Sequence, residues 1–395
     1  MQLTAPPVPD LAASLANRTI LSIAALRDRA RQRSGAANRP GVTSTAVRRE
    51  AWSARGPTRR SAPEAQMTGF PRQHRPDGTT DATATETGRS SGGLAPAGER
   101  DLILAHVGAA TVEYRMHGGS PGGPGTVVVL HGGHMRAQLA LGEDVFTGAR
   151  FRVLVPSRPG YGRTPLSPAA AGGTVTDFAD AIARLCRDRG IDQVAAVVGI
   201  SAGGRTALTM AARHPDLVRR VILQSPVGFL PWPDRRTHLG GRIVFHPRIE
   251  AITWALLRTA IRLAPEPALR LLTRDLSLLP AGQVLAGLTP ADRATLTHLY
   301  VSMRSGRGFV ADMLPVADCT ADVGQPTLII ATRNDRSVPF AHAQSLAAAI
   351  SRAELVESRA DSHMIWFSPD YPAIAAKIRA FLLTDHDTAS GHLNA

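Results

Sequence analysis

Lysine is almost missing from this chain of 395 residues: Lys377 is the only one, so nearly all of the positive charge is arginine, a bias for which the sequence offers no functional reason. Cysteine is equally scarce. Cys186 falls in a segment of helical pattern and Cys319 in a loop, and two isolated thiols make neither a disulfide framework nor a metal-ligand set. Long hydrophobic runs are absent too. The longest, at 221–227 and 252–257, are interrupted or ended by Gln, Pro or Arg, well short of the ~18 apolar residues of a membrane span. No basic cluster precedes an apolar segment at the N-terminus, so neither membrane insertion nor a secretory signal is expected, and a cytoplasmic location follows by default. Aromatic residues make up 5% of the chain, and in the first hundred residues Trp52 and Phe70 stand alone.

The net charge of +13 is unevenly spread, since residues 1–100 carry fifteen arginines against eight acidic residues. Without interleaved aromatics this basic segment reads as a solvated tail, and a nucleic-acid partner is not expected. Its Ala, Arg, Pro, Gly, Ser and Thr content shows no sustained apolar period beyond a short helical pattern at 15–31. Residues 1–98 are therefore expected to be a disordered extension, and 386–395 a flexible tail. Between them, 99–385 is the folded domain, and a hydrophobic fraction of 44% is ample for a sizeable core.

From residue 101 onward short apolar runs alternate with helical patterns. Strands are predicted at 102–107, 111–116, 126–130, 152–155, 194–198, 221–224, 327–331 and 353–357, with helices at 174–189, 202–214, 340–351 and 372–383. Phe178, Ile182 and Leu185 mark the apolar face of the first helix. This alternation argues an α/β fold, a mainly parallel eight-stranded sheet covered by helices on both faces. One stretch breaks it. Residues 226–308 carry helical segments and no strand pattern, which marks a helical insertion placed to act as a cap over the strand ends, or simply as packing helices.

Gly199-Ile200-Ser201-Ala202-Gly203 sits between the predicted strand at 194–198 and an Ala/Leu-rich helix. The pattern alone describes a glycine-punctuated loop equally well. At a sharp strand-to-helix turn, however, a serine is held in a strained backbone conformation with its hydroxyl projecting above the sheet edge. Such a nucleophile needs a base, an acid to orient the base, and donors for the oxyanion. His363 and Asp335 each follow a predicted strand, at the end where loops of a parallel sheet converge. His342 and His298 lie in helical segments and are weaker bases. Asp318, Asp322 and Asp361 are fallback acids, the last too close to His363 in sequence to face the far ring nitrogen. The oxyanion donors are assigned to the backbone amides of Ala202 and Gly133. His131 and His134 are not read as a metal pair, for want of a helix, a Glu and a third ligand.

From about residue 101 to 383 the chain resembles the α/β-hydrolase fold superfamily. The resemblance rests on the Gly199–Gly203 motif, the His131-Gly132-Gly133 loop, the Arg158-Pro159-Gly160-Tyr161-Gly162 turn, Asn334-Asp335 before Val338-Pro339, and the late His363 followed by Trp366. It implies a Ser201, Asp335 and His363 triad, no cofactor, a structural role for Arg158 and a pocket role for Tyr161; His134 and, from the apolar insertion, Trp254 and Leu257 are further pocket candidates. Ser362 departs from the pattern, because relatives commonly carry glycine there. A serine nucleophile disfavours epoxide and halide chemistry. What remains is hydrolysis of esters, thioesters, lactones or amides, C–C cleavage, acyl transfer and perhydrolysis, with a carboxylic ester of a small, partly apolar molecule as the first expectation. Aminopeptidase activity would need acidic residues in the insertion, where Glu250, Glu266, Asp275 and Asp292 are scattered. A non-catalytic binding module is the alternative class, and no oligomeric state is specified.

Overall fold

β-Branched and other apolar residues build the strands Ile103–Val107 (β1), Ala110–Gly118 (β2), Thr126–Leu130 (β3), Arg152–Pro156 (β4), Val194–Ile200 (β5), Val221–Gln224 (β6), Thr327–Ala331 (β7) and Ala353–Glu357 (β8). The computed structural model describes residues 101–166, 173–233 and 244–384. The basic extension, the helical pattern at 15–31, the C-terminal tail and part of the predicted insertion lie outside the described residues. The strands form one sheet in the order β1-β2-β4-β3-β5-β6-β7-β8. β1 and β2 pair antiparallel, as do β2 and β4, and every later pairing is parallel. All five residues of β3 and all seven of β5 are buried, as strands covered on both faces must be.

Alternate residues of these strands serve two separate cores. Val127, Val129, Val198, Ile222 and Ile330 face one, while Val128, Leu130, Val197, Leu223 and Ile329 face the other. The helices, in chain order, are Asp144–Thr147 (α1), Gly173–Asp188 (α2), Gly203–Arg213 (α3), Glu250–Leu263 (α4), Pro265–Arg274 (α5), Ala281–Ala286 (α6), Pro290–Ser302 (α7), Gly308–Asp312 (α8), Ala341–Ala349 (α9) and Tyr371–Leu383 (α10). α2, α3 and α9 cover the second face through Phe178, Ile182, Leu208, Met210, Ala343 and Leu346. α1 and α10 cover the first. Among the described residues no helix is long and apolar enough to cross a membrane.

The strand order places the site. The chain leaves β3 toward β4 on one side and leaves β5 toward β6 on the other, so β3 and β5 flank the point where the winding reverses. Loops that diverge from two adjacent strand ends leave a crevice between them. The turn at Ser201 and the loop at His131 to Gly133 are those two loops.

The insertion between β6 and β7 contains α4 to α8, and its last helix runs past the predicted boundary at 308. α7 starts where local chemistry dictates: Thr289 and Asp292 form a capping box and Pro290 occupies the first turn. Ile261, Leu269, Leu285, Leu296, Leu299 and Tyr300 join the sheet-facing core, so part of the insertion is packing, as the plainer expectation held. Trp254 and Leu257 are also buried, and Trp254 packs on the loop after β3 instead.

Candidate active site

β5 ends at Ile200 and α3 starts at Gly203, which compresses the reversal into two residues. Ser201 absorbs it with φ 51°, a left-handed value that costs a non-glycine residue energy. Surrounding bonds hold the strained turn: the Ser201 amide donates to the Gln224 carbonyl, and its own carbonyl accepts from the Gly204 and Val227 amides, each at 2.9 Å. A Cβ on Gly203 would sit 2.1 Å from the Leu130 carbonyl oxygen, so only glycine lets α3 begin this close to β3. Among the described residues the Ser201 hydroxyl has no hydrogen-bond partner, which leaves it free for chemistry.

Asp335 and His363 follow β7 and β8, and the structure brings them into contact. His363 Nδ1 donates to Asp335 Oδ2 at 2.5 Å, while Asp335 Oδ1 accepts the Val338 amide at 2.8 Å. Both residues are buried. The His363 carbonyl accepts from Ser225 Oγ at 2.9 Å, and this ties the histidine loop to the turn after β6 that also holds Ser201. Ser362, the departure from the family pattern, uses its hydroxyl to accept the Met364 amide at 3.3 Å. With Nδ1 committed to Asp335, Nε2 is the nitrogen left to exchange a proton.

Part of this pair is held by the insertion. The His363 amide donates to the Leu276 carbonyl at 2.8 Å, the Leu278 amide donates to the Asn334 carbonyl at 2.9 Å, and Ser277 forms a bridge to Asp335. Ser277 Oγ also donates to the Asp361 carbonyl. Of the fallback groups, Asp318 caps Thr320, His342 Nδ1 accepts the Gly228 amide, and His298 is exposed on α7.

Across the crevice, His131 is a structural residue. Its Nδ1 donates to the Gly132 carbonyl at 2.8 Å and its Nε2 accepts the Arg158 amide at 2.9 Å. Burial, reinforced by the Arg158 charge, keeps its pKa well below the usual range, so both ring nitrogens are spent on a neutral tautomer. A Cβ on Gly132 would lie 3.3 Å from the Ser201 Cβ, and Gly133 follows against the Phe309 ring. Among the described residues neither the Gly133 nor the Ala202 amide has an acceptor.

Arg158 places both guanidinium arms on Asp312, at 2.6 and 2.7 Å, and its Nε on the His131 carbonyl at 2.7 Å. Tyr161 donates to the same carboxylate at 2.6 Å, so its hydroxyl belongs to this buried cluster. His134, with φ 61°, stacks 3.9 Å from Phe309, 4.5 Å from Phe245 and 5.3 Å from Trp254 between ring centroids. Ser305 Oγ lies 2.8 Å from His134 Nδ1 and accepts from Trp254 Nε1 at 2.8 Å. Burial drives the His134 pKa down to about 3. The acidic residues considered for an amine are engaged: Glu250 with Arg304, Glu266 with Arg270 and Arg293, Asp292 in the capping box, and Asp275 3.7 Å from Arg274. Asp312, Ser305, Phe309, Phe245 and Leu276 escape a reading of the sequence, because no local pattern distinguishes them from packing residues.

The chain belongs to the alpha/beta hydrolase fold family, whose sequence model matches residues 121–369, a span that takes in β3 and all three of Ser201, Asp335 and His363. The uncharacterized hydrolase YcgS of Bacillus subtilis is 27% identical over 279 residues, covering 69% of this chain and 95% of the relative. The 2-hydroxy-6-oxo-6-phenylhexa-2,4-dienoate hydrolase of Burkholderia cepacia is 26% identical over 253 residues, 61% of this chain and 82% of the relative. The pimeloyl-[acyl-carrier protein] methyl ester esterase of Aromatoleum aromaticum is 29% identical over 240 residues, 58% and 87% respectively. The chain is thus similar to hydrolases with different named substrates, and it is a hydrolase of this fold.

Proposed function

We propose that this hydrolase cleaves a carboxylic ester of a small, partly apolar molecule through an acyl-enzyme. In this reading Ser201 Oγ attacks the ester carbonyl as His363 Nε2 takes its proton, and Asp335 orients the ring and stabilises the imidazolium. The amides of Gly133 and Ala202 hold the oxyanion, a contribution worth about 3 kcal/mol per donor in other acyl-transfer sites. The tetrahedral intermediate collapses, the C–O bond breaks, and His363 returns the proton to the departing alkoxide. Water, deprotonated by the same nitrogen, then attacks the acyl carbon, and the acid leaves as Ser201 regains its proton.

The 2.5 Å bond between Asp335 and His363, on the same sheet edge as the strained Ser201 and tied to its turn through the residues after β6, carries this reading. The similarity to a methyl ester esterase supports the ester bond. Similarity to the dienoate hydrolase favours C–C hydrolysis as the second reading. A fluorophosphonate probe followed by peptide mapping tests the nucleophile: the expected adduct is on Ser201 and vanishes in Ser201→Ala. An adduct elsewhere, or none, overturns the assignment. Parallel assays on p-nitrophenyl esters and on a vinylogous diketone separate the two bonds.

A further inference from the structure

Arg205 lies one helical turn past Ser201 on α3 and is buried, 7% exposed. A guanidinium keeps its charge at any ordinary pH, and a charge taken out of water needs a counter-charge. Among the described residues the hydrogen-bond partners of Arg205 are all main-chain carbonyls: Gly228 at 2.7 Å, Leu230 at 3.3 Å, and Asp312 and Leu314 each at 3.4 Å. Three of these four bonds are long. The nearby carboxylate is Asp312, and both its oxygens are taken by Arg158, with Tyr161 on one of them as well. Two buried arginines therefore share one carboxylate. The adjacent His342 is held low, to about 4, by burial and by Arg205 itself, so it adds no charge and accepts none.

Both arginines line a cavity of about 50 Å³ together with Ala202, Thr206, Val175 and Leu314, and with Asp312, whose two carboxylate oxygens are already held by Arg158 and Tyr161. Thr206 is buried, 3% exposed, and among the described residues its hydroxyl has no partner. A cation with no carboxylate of its own, sharing Asp312 with Arg158, and a free hydroxyl thus meet in one small cavity, beside the residue whose amide is assigned to the oxyanion.

We propose that this cavity is a subsite for a carboxylate group of the substrate, held by the Arg205 guanidinium and the Thr206 hydroxyl. The substrate class narrows to a half-ester or other hydrolysable compound that carries a free acid, a proposal that rests on Ser201 as nucleophile only for its kinetic arm. A charge-assisted bond to a carboxylate is among the stronger ones available, and its loss is read as tenfold or more in specificity.

The test compares p-nitrophenyl hydrogen glutarate with p-nitrophenyl methyl glutarate, its neutral methyl ester, on the full chain. The expected result is a kcat/KM preference of about tenfold or more for the anionic ester, reduced several-fold in Thr206→Val and brought near unity in Arg205→Gln. Equal turnover of the two esters by the unaltered protein overturns the proposal. So does an equal loss on both esters in the variants, accompanied by a lower melting temperature, since that is the signature of a clamp on the 228–230 and 312–314 segments. Calorimetric titration with glutarate needs no turnover. Saturable binding that weakens in Arg205→Gln supports the subsite even if no probe labels Ser201, and absent binding overturns it even if Ser201 is labelled.

Discussion

The backbone amide of His363 donates to the carbonyl of Leu276, 2.8 Å away, so the helical insertion grips the residue proposed as the base. Next to it, Ser277 bridges to Asp335, donates to the Asp361 carbonyl and accepts the Leu279 amide at 3.0 Å. Ser277→Ala removes both side-chain bonds from a buried position. Stability should fall by about 1 kcal/mol. If the strap positions His363, kcat should drop several-fold with KM nearly constant, and an unchanged kcat would show that it does not.

Ser201, Asp335 and His363 are proposed to act as a unit, so their losses should not multiply. Ser201→Ala and His363→Ala are each expected to lower kcat on an activated short-chain ester by ~10³-fold or more, with the double variant scarcely worse. Steady-state kinetics on the three proteins decide it. Multiplicative losses would place the nucleophile elsewhere.

Asp312 carries the paired charge for Arg158 and accepts from Tyr161. Removing it leaves buried donors and cations without a partner, a change that typically costs about 3–5 kcal/mol. Asp312→Ala should lower the melting temperature by on the order of 10 °C. Asp312→Asn, which keeps an acceptor, should lose less. Calorimetry showing both variants within a degree or two of the parent would contradict this account.

Three desolvated histidines are expected to make the fold sensitive to acid. Burial lowers the pKa of His134 to about 3 and of His342 to about 4, and holds His131 well below its ordinary value. Between these values and the unfolded value of about 6.5 the unfolded chain binds more protons, so stability is complete above pH 6.5 and is lost as pH falls toward 4 and then 3. Urea midpoints from pH 7.5 to 4 should decline. The slope should be shallower in His342→Gln, and an unaltered slope would remove His342 from the explanation.

Trp254 packs on His134 and Phe245 and reaches Ser305, and it is proposed to shape a substrate pocket together with Leu257. Trp254→Ala and Leu257→Ala should change the ratio of kcat/KM between short and long acyl esters more than they change thermal stability. A uniform loss that tracks melting temperature would make both residues core packing alone.

The sheet was legible because its central strands are short buried runs whose meaning is local. The predicted segments at 126–130, 221–224, 327–331 and 353–357 coincide with β3, β6, β7 and β8, and the helix over 174–189 follows from the spacing of Phe178, Ile182 and Leu185. The strained turn at Ser201 was legible for the same reason: the motif, the strand before it and the helix after it are contiguous. Asp335 and His363 could be assigned to strand-end loops, but their 2.5 Å contact spans 28 positions and exists only once β7 and β8 pair.

Contacts between distant segments carry no local periodicity. Arg158 meets Asp312 across 154 positions, and Trp254 meets Ser305 across 51. Nothing in the composition around Asp312 or Leu276 separates them from ordinary helix ends and loops. The amino-acid order alone therefore determined the element types, the two-faced sheet and the turn that exposes a serine, because propensity and burial period act over a few neighbours. Which carboxylate neutralises Arg158, which stays beyond reach of Arg205, and which carbonyl holds His363 were decided only by tertiary packing, since a buried charge or amide takes its partner from whatever the folded chain brings within about 3 Å.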